Sequence, residues 1–301
     1  MSDKRGKIPA EAVELYTRFI HGEISRRSFV NGVKKFAVAG MSTEAVIQAL
    51  MPNYAAAQQI SKTDERIKAS YVTVPSPQGN GSIKGYFVRP ASADTREATP
   101  AKLPGVIIIH ENRGLNPHIE DIARRLALDN FLAFAPDGLY PLGGYPGDED
   151  KARDLFGKLD QTKTRADFVA AASFLKALPN CSGRIGAVGF CWGGGIVNML
   201  AARLPDVLAS VPFYGVQPSA EDAAKIKAQL LIHYAGNDER INAGWPAYEA
   251  ALKAAGVKYE EFKYPGTEHG FNNDTTPRYD EAAAKLAWQR TVAFFNTTLR
   301  G

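Results

Sequence analysis

Eight short apolar runs punctuate the chain, near residues 70–74, 83–89, 105–110, 131–135, 184–190, 208–213, 229–235 and 258–264. Runs of this length, bounded by Gly, Pro, Asn or Asp, predict buried strands. Between and after them the apolar positions return at helical spacing, near 117–129, 148–158, 164–178, 193–204, 243–255 and 278–298. Strand and helix patterns in alternation predict an α/β fold, a mostly parallel eight-stranded sheet flanked by helices on both faces. Right-handed crossovers then bring the ends of the strands before Glu111, Cys191, Asp238 and His269 to one carboxyl edge, where open α/β sheets bind ligands.

One junction on that edge is unusual. The strand pattern Arg184-Ile185-Gly186-Ala187-Val188-Gly189-Phe190 gives way within a residue or two to a helix carrying Trp192, Ile196 and Leu200, so Gly189-Phe190-Cys191-Trp192-Gly193-Gly194 must turn very tightly. Small glycines on both sides permit such a strand-to-helix elbow, which holds its central side chain exposed and strained. That side chain is Cys191, whose thiolate is a strong nucleophile once a base takes the proton. The same hexapeptide also fits a small apolar cysteine packed into a corner.

The rest of the chain separates these two readings. An elbow nucleophile needs an acid and then a histidine, in that order, each on a loop after a later strand. The strand at 229–235 leads to Asp238, and the strand at 258–264 leads to His269, followed by Gly270-Phe271. His269 would take the proton from Cys191 and return it to the leaving group, while Asp238 orients the imidazole. Glu239 and Asp274 are alternative acids. Of the other histidines, His21 lies near the amino terminus, His233 sits inside a strand as a core residue, His110 ends a strand and His118 opens a helix. The oxyanion calls for two backbone donors, one of them the amide of Trp192 after the nucleophile. Asn112, after the strand at 105–110, is the expected second donor. Glu111 just before it either faces Cys191, raising the thiol pKa by charge repulsion, or pairs with Arg113 at the surface.

Together the Cys191 hexapeptide, the order Cys191, Asp238, His269 and the strand ending at Glu111 resemble the dienelactone hydrolase family of α/β-hydrolases, over roughly residues 66 to 298. The resemblance implies hydrolysis of a small lactone or ester, a carboxylic ester hydrolase acting through an acyl-thioester on Cys191. It implies that Glu111 contacts the resting thiol and is displaced by an anionic substrate. Two positions depart from the family pattern: Asn273 stands where an arginine binds the substrate carboxylate, and Gly270 where serine is usual. Arg113, Arg153 and Arg278 are candidate replacements for that arginine. The Gly/Pro-rich stretch 136–147, with Tyr140 and Tyr145, is expected to wall the pocket as a lid. A thiol sensor of oxidants or electrophiles on the same fold is the alternative function.

Composition adds an organisation. With 301 residues and 45% hydrophobic content the chain can bury a full core. Most of its net +4 lies in the first sixty residues, leaving 28 basic and 27 acidic residues elsewhere, too balanced for a nucleic-acid face. The division expected is a leader, 1–57, and a catalytic domain, 58–301. Ser25-Arg26-Arg27-Ser28-Phe29-Val30, the weakly apolar segments 36–40 and 45–51, and Ala55-Ala56-Ala57 follow the order of a twin-arginine export signal. That order predicts a periplasmic or secreted protein that engages the twin-arginine export machinery and is cleaved near Gln58. The alternative is a retained helical extension on a cytoplasmic protein, with Val13, Tyr16, Phe19 and Ile20 packing onto the domain or a second subunit. Neither apolar segment reaches the ~20 residues of a membrane span. Cys181 and Cys191 flank one strand, about 23 Å or more apart, too far for a disulfide. Residues 91–101 read as a surface loop, and neither a metal-ligand spacing nor a cofactor-binding glycine pattern occurs, so no metal and no cofactor are expected.

Overall fold

The computed structural model describes residues 8–39, 42–94 and 102–301. Lys4, Arg5 and Lys7 of the basic leader, and most of the loop expected at 91–101, lie outside them. The elements run in the order α1 (Ala10–Ile20), α2 (Arg26–Val33), α3 (Thr43–Leu50), α4 (Tyr54–Ala57), β1 (Ile67–Ser76), β2 (Gly81–Pro90), β3 (Leu103–Ile109), α5 (Pro117–Leu128) and β4 (Leu132–Pro136). Then follow α6 (Glu149–Phe156), α7 (Gln161–Ala177), β5 (Cys181–Phe190), α8 (Trp192–Arg203), β6 (Val207–Phe213), α9 (Ala220–Ala223), β7 (Gln229–Ala235), α10 (Glu239–Asn242), α11 (Trp245–Ala254), β8 (Tyr259–Tyr264) and α12 (Glu281–Arg300). Short 3-10 turns sit at Lys34–Ala39, Ala91–Asp94 and Tyr140–Leu142.

The eight strands form one sheet in the order β1-β2-β4-β3-β5-β6-β7-β8. Only the β1–β2 and β2–β4 pairs are antiparallel; β4, β3 and β5 through β8 run parallel. Central β3 shows why the two faces are covered. Val106 and Ile108 pack toward α5 and α12 in one core, while Ile107 and Ile109 pack toward α7 and α8 in the other. A strand apolar on both faces can be buried only between two helical layers. All eight expected strands and all six expected helices form, with ends displaced by no more than three residues.

Residues 8–39 and 42–57 fold as helices with a core of their own, in which Ala12, Tyr16, Phe19 and Ile20 of α1 meet Phe29, Val33, Val46 and Leu50. Ser25 and Ser42 cap α2 and α3 by accepting from Ser28 N and Ala45 N. This unit lies against the rest of the chain: Asn53 N donates to Thr275 O at 2.8 Å, and Arg26 pairs with Asp150 at 3.2 Å. Arg26 and Arg27 are exposed. Among the described residues no helix is long and apolar enough to cross a membrane.

Candidate active site

The parallel register Ile109↔Gly189 sets the end of β3 beside the end of β5, and Ala235↔Tyr264 does the same for β7 and β8. The loops carrying Glu111, Cys191, Asp238 and His269 therefore leave one edge of the sheet side by side. Cys191 itself sits at φ +56, ψ −115, a conformation that L side chains rarely adopt. The strain is held by close packing of backbone on backbone. A Cβ on Gly193 would lie 2.4 Å from Ile109 O, and one on Gly189 would lie 2.4 Å from Gly193 O. Only glycine lets α8 start so near β3.

His269 is buried, and its Nδ1–H donates to Asp238 Oδ2 in a very short contact. Its Nε2 has no hydrogen-bond partner. Burial opposes a charge on this imidazole, but the nearby Cys191 sulfur and the Asp238 carboxylate outweigh it and lift the ring to about 9. The alternatives for each role are engaged elsewhere. Asp274 binds His118 at 3.0 Å and Arg125 at 2.6 Å, and these partners hold it well below the usual carboxylate range although its burial acts the other way. Glu239 opens α10. His110 accepts from Gly138 N at 2.9 Å and stacks on Trp192. His233 is buried between Thr291 and Tyr264, and burial pushes it down to about 3. Cys181 and Cys191 are both free.

Glu111 is buried and lines the same cavity as Cys191, where its Oε2 accepts from Asn273 Nδ2 at 2.9 Å. The surface pair with Arg113 does not form: Arg113 is also buried and points to Glu149, Nε to Oε2 3.5 Å. Burial raises Glu149, although Tyr54, Arg113 and Tyr145 stabilise its charge. Arg278 enters the cavity beside His269, donating to its carbonyl at 3.0 Å. The departure at Gly270 has its reason here. Its φ is +88, a conformation in which a larger residue is strained, and a Cβ would meet the Arg278 guanidinium at 2.9 Å and have to push it aside.

The other residues expected near the substrate lie outside these cavities. Arg153 lies over the Phe19 ring at 4.1 Å, anchoring the amino-terminal helices. Tyr145 donates to Glu149 at 2.9 Å and packs on Tyr54. Neither they nor Tyr140 line the two cavities that Cys191 borders. The stretch 136–147 is tied back by Asp137, which accepts from Leu115, Leu139 and Tyr145 amides, and residues 8–57 occupy the position expected of a lid.

Packing of these helices onto the domain is the alternative reading of the leader, but their seat over the elbow is invisible in the sequence. The end of α1 reaches over the elbow, and His21 Nε2 lies 3.9 Å from Cys191 Sγ, with its ring edge-on to His269 at 4.6 Å. Burial, then the charges of His269, Arg278 and Arg240, push His21 down to about 2, so its imidazole is neutral. Ile20 O accepts from Asn112 Nδ2 at 3.1 Å. Tyr16, His21 and Tyr54 wall the Glu111 side, leaving a cavity of about 20 Å³, room for a single water. On the other side of His21 an opening of about 280 Å³ is lined by Cys191, Trp192, Tyr214, Val216, Arg240 and His269, among others. Residues 170 positions apart meet here, and neither motif nor periodicity reports such a contact.

A tight strand-to-helix elbow at Cys191 between β5 and α8, on a mostly parallel eight-stranded sheet covered on both faces, is the arrangement of an α/β-hydrolase-like fold. Residues 83–299 match the model of the Dienelactone hydrolase family, and the chain belongs to that family. It is 34% identical over 251 residues, 78% of this chain and 90% of the other, to a Salmonella typhi protein named "Putative carboxymethylenebutenolidase". It is 49% identical over 122 residues, 40% of this chain and 99% of the other, to "Putative hydrolase fragment YghX" of Escherichia coli K12. A solved "Putative Dienelactone Hydrolase" from Klebsiella pneumoniae superposes with a TM-score of 0.67 at 31% identity, covering 76% of this chain and 98% of its own. The chain is thus a hydrolase of the carboxylic ester class.

Proposed function

We propose that the chain hydrolyses a small ester or lactone through a Cys191-His269-Asp238 triad and an acyl-thioester intermediate. The observation that carries this reading is His269, whose Nδ1 is taken by Asp238 while its buried, unpartnered Nε2 is left on the side of the elbow cysteine. His269 accepts the thiol proton, and the thiolate attacks the carbonyl carbon. The oxyanion that forms is met by the amides of Trp192 and Asn112. Its collapse breaks the bond to the leaving oxygen, which takes the proton back from the imidazolium. Water, deprotonated by the same ring, then releases the acid and restores the thiol. Glu111 restrains the thiol until an anionic substrate displaces it, and its burial in a cavity that Cys191 also lines supports that role. Arg278 and Arg113 line the Glu111 cavity and become the cations available to such an anion once Tyr16, His21 and Tyr54 of the amino-terminal unit no longer fill it. A small ester reaches Cys191 through the 280 Å³ opening beside Trp192 and Arg240.

The test is turnover of p-nitrophenyl acetate, with mass spectrometry of the quenched enzyme. A transient acetyl group on Cys191, and loss of turnover in Cys191→Ala and His269→Ala, are expected. Turnover that survives both substitutions would sink the triad.

We also propose that residues 1–57 act as a twin-arginine leader that carries the protein to the periplasm or beyond. The exposed arginine pair at the start of α2 and the exposed Ala55 and Ala56 support this. Protein recovered from its native cell should begin near Gln58; an intact leader on cytoplasmic protein would overturn the proposal.

A further inference from the structure

The triad makes no use of His21, yet that ring is aimed with care. Its Nδ1–H donates to Thr17 O at 2.8 Å, which fixes the tautomer and leaves the Nε2 lone pair toward Cys191 Sγ, 3.9 Å away. His269 is held the same way, with Nδ1–H on Asp238 and Nε2 unpartnered in a residue only 4% exposed. A ring nitrogen from each histidine and Sγ all lie within 4.8 Å of one another. Histidines that bind metals are oriented in this manner, by an outer oxygen on the second ring nitrogen. Two imidazoles and a thiolate are also the donor set that soft, borderline divalent cations select over Mg²⁺ or Ca²⁺.

We propose that His21, Cys191 and His269 form a binding site for one divalent transition cation of the Zn²⁺ class, which caps the nucleophile while residues 8–57 are docked. With metal–nitrogen bonds near ~2.1 Å and a metal–sulfur bond near ~2.3 Å, three ligand atoms at tetrahedral corners stand roughly 3.5 Å apart. The widest ligand pair, at most 4.8 Å apart, needs to close by no more than about 1.3 Å. All three residues also border the opening of about 280 Å³, which has room for a water as fourth ligand. Ligation forms two metal–nitrogen bonds and one metal–sulfur bond and releases to solvent the proton that Cys191 and His269 share. Nothing is oxidised or reduced. The site exists only in the uncleaved chain, because His21 belongs to the amino-terminal unit.

The inference shares Cys191 and His269 with the proposed triad, but it is tested by ligation rather than turnover. Co²⁺ is titrated into the full-length, metal-free chain and followed by its thiolate-to-cobalt charge-transfer and tetrahedral d–d absorption. One equivalent should bind in the wild type and in Cys181→Ala, and the charge-transfer band should vanish in Cys191→Ser. His21→Ala and the bulkier His21→Gln, each checked for folding by circular dichroism, should lower the affinity by about tenfold or more. Absence of a charge-transfer band in the wild type, or unchanged affinity in both folded His21 variants, overturns the site. Hydrolysis by the metal-free chain is measured separately, so an inactive protein that still binds Co²⁺ through Cys191 and His21 refutes the triad and not the metal site.

Discussion

Replacing Gly193 with alanine puts the elbow geometry to a quantitative test. The added Cβ would stand 2.4 Å from Ile109 O and 2.6 Å from His110 O, about 1 Å inside ordinary van der Waals contact. Both obstacles are backbone of and just after central β3, which cannot rotate aside as a side chain could. The shift must fall on the first turn of α8, which carries the Trp192 amide and, through it, Cys191. Misplacing reacting groups by about 1 Å costs on the order of a hundredfold in rate, and overpacking costs about 1–3 kcal/mol of stability. Gly195, two residues on, provides the control. A Cβ there meets nothing nearer than 3.7 Å, so Gly195→Ala should hold its rate and gain up to about 1 kcal/mol from helix propensity. The assay is kcat/KM for p-nitrophenyl acetate beside urea unfolding of both variants. A Gly193→Ala enzyme within threefold of wild type in kcat/KM and unchanged in stability would refute the argument that backbone contact holds the nucleophile in place.

Asp238→Asn keeps the shape of the acid but removes its charge and disturbs the tautomer of His269; kcat should fall by about 10²- to 10⁴-fold in steady-state assays, and a loss under tenfold would remove Asp238 from the triad. Gly270→Ala forces a side chain into φ +88 and against the Arg278 guanidinium, so urea melts should show a loss of about 1–3 kcal/mol, together with a higher KM for anionic than for neutral esters. His233 is held neutral in the folded chain, pushed down to about 3 by burial, whereas the unfolded chain protonates it near pH 6.5. Its contribution to stability is therefore complete above that pH and declines as pH falls, by about 1 kcal/mol for each unit between pH 6 and 4. Urea midpoints for wild type should drop faster over that range than those of His233→Gln, and parallel curves would contradict the assignment.

What the sequence determined by itself is whatever depends on neighbours along the chain. Short unbroken apolar runs dictate the strands buried on both faces, and apolar positions at helical spacing dictate the helices, because both are patterns among near neighbours in the chain. The glycines around Cys191 dictate a turn too tight for other residues, and the order Cys191, Asp238, His269 follows from strands that all end at one edge. Tertiary structure decided what depends on residues far apart in the chain. Arg113 reaches Glu149 instead of Glu111, and Arg153 turns to Phe19, since a long cation takes whichever partner packing leaves within reach. His21, an unremarkable residue in the sequence, is seated 3.9 Å from Cys191 Sγ because the amino-terminal helices bury their apolar faces together and dock as a unit on the sheet edge. Hydrophobic burial is non-directional, so it fixes that such a face must be covered and leaves to the assembled surface which residue lands over Cys191.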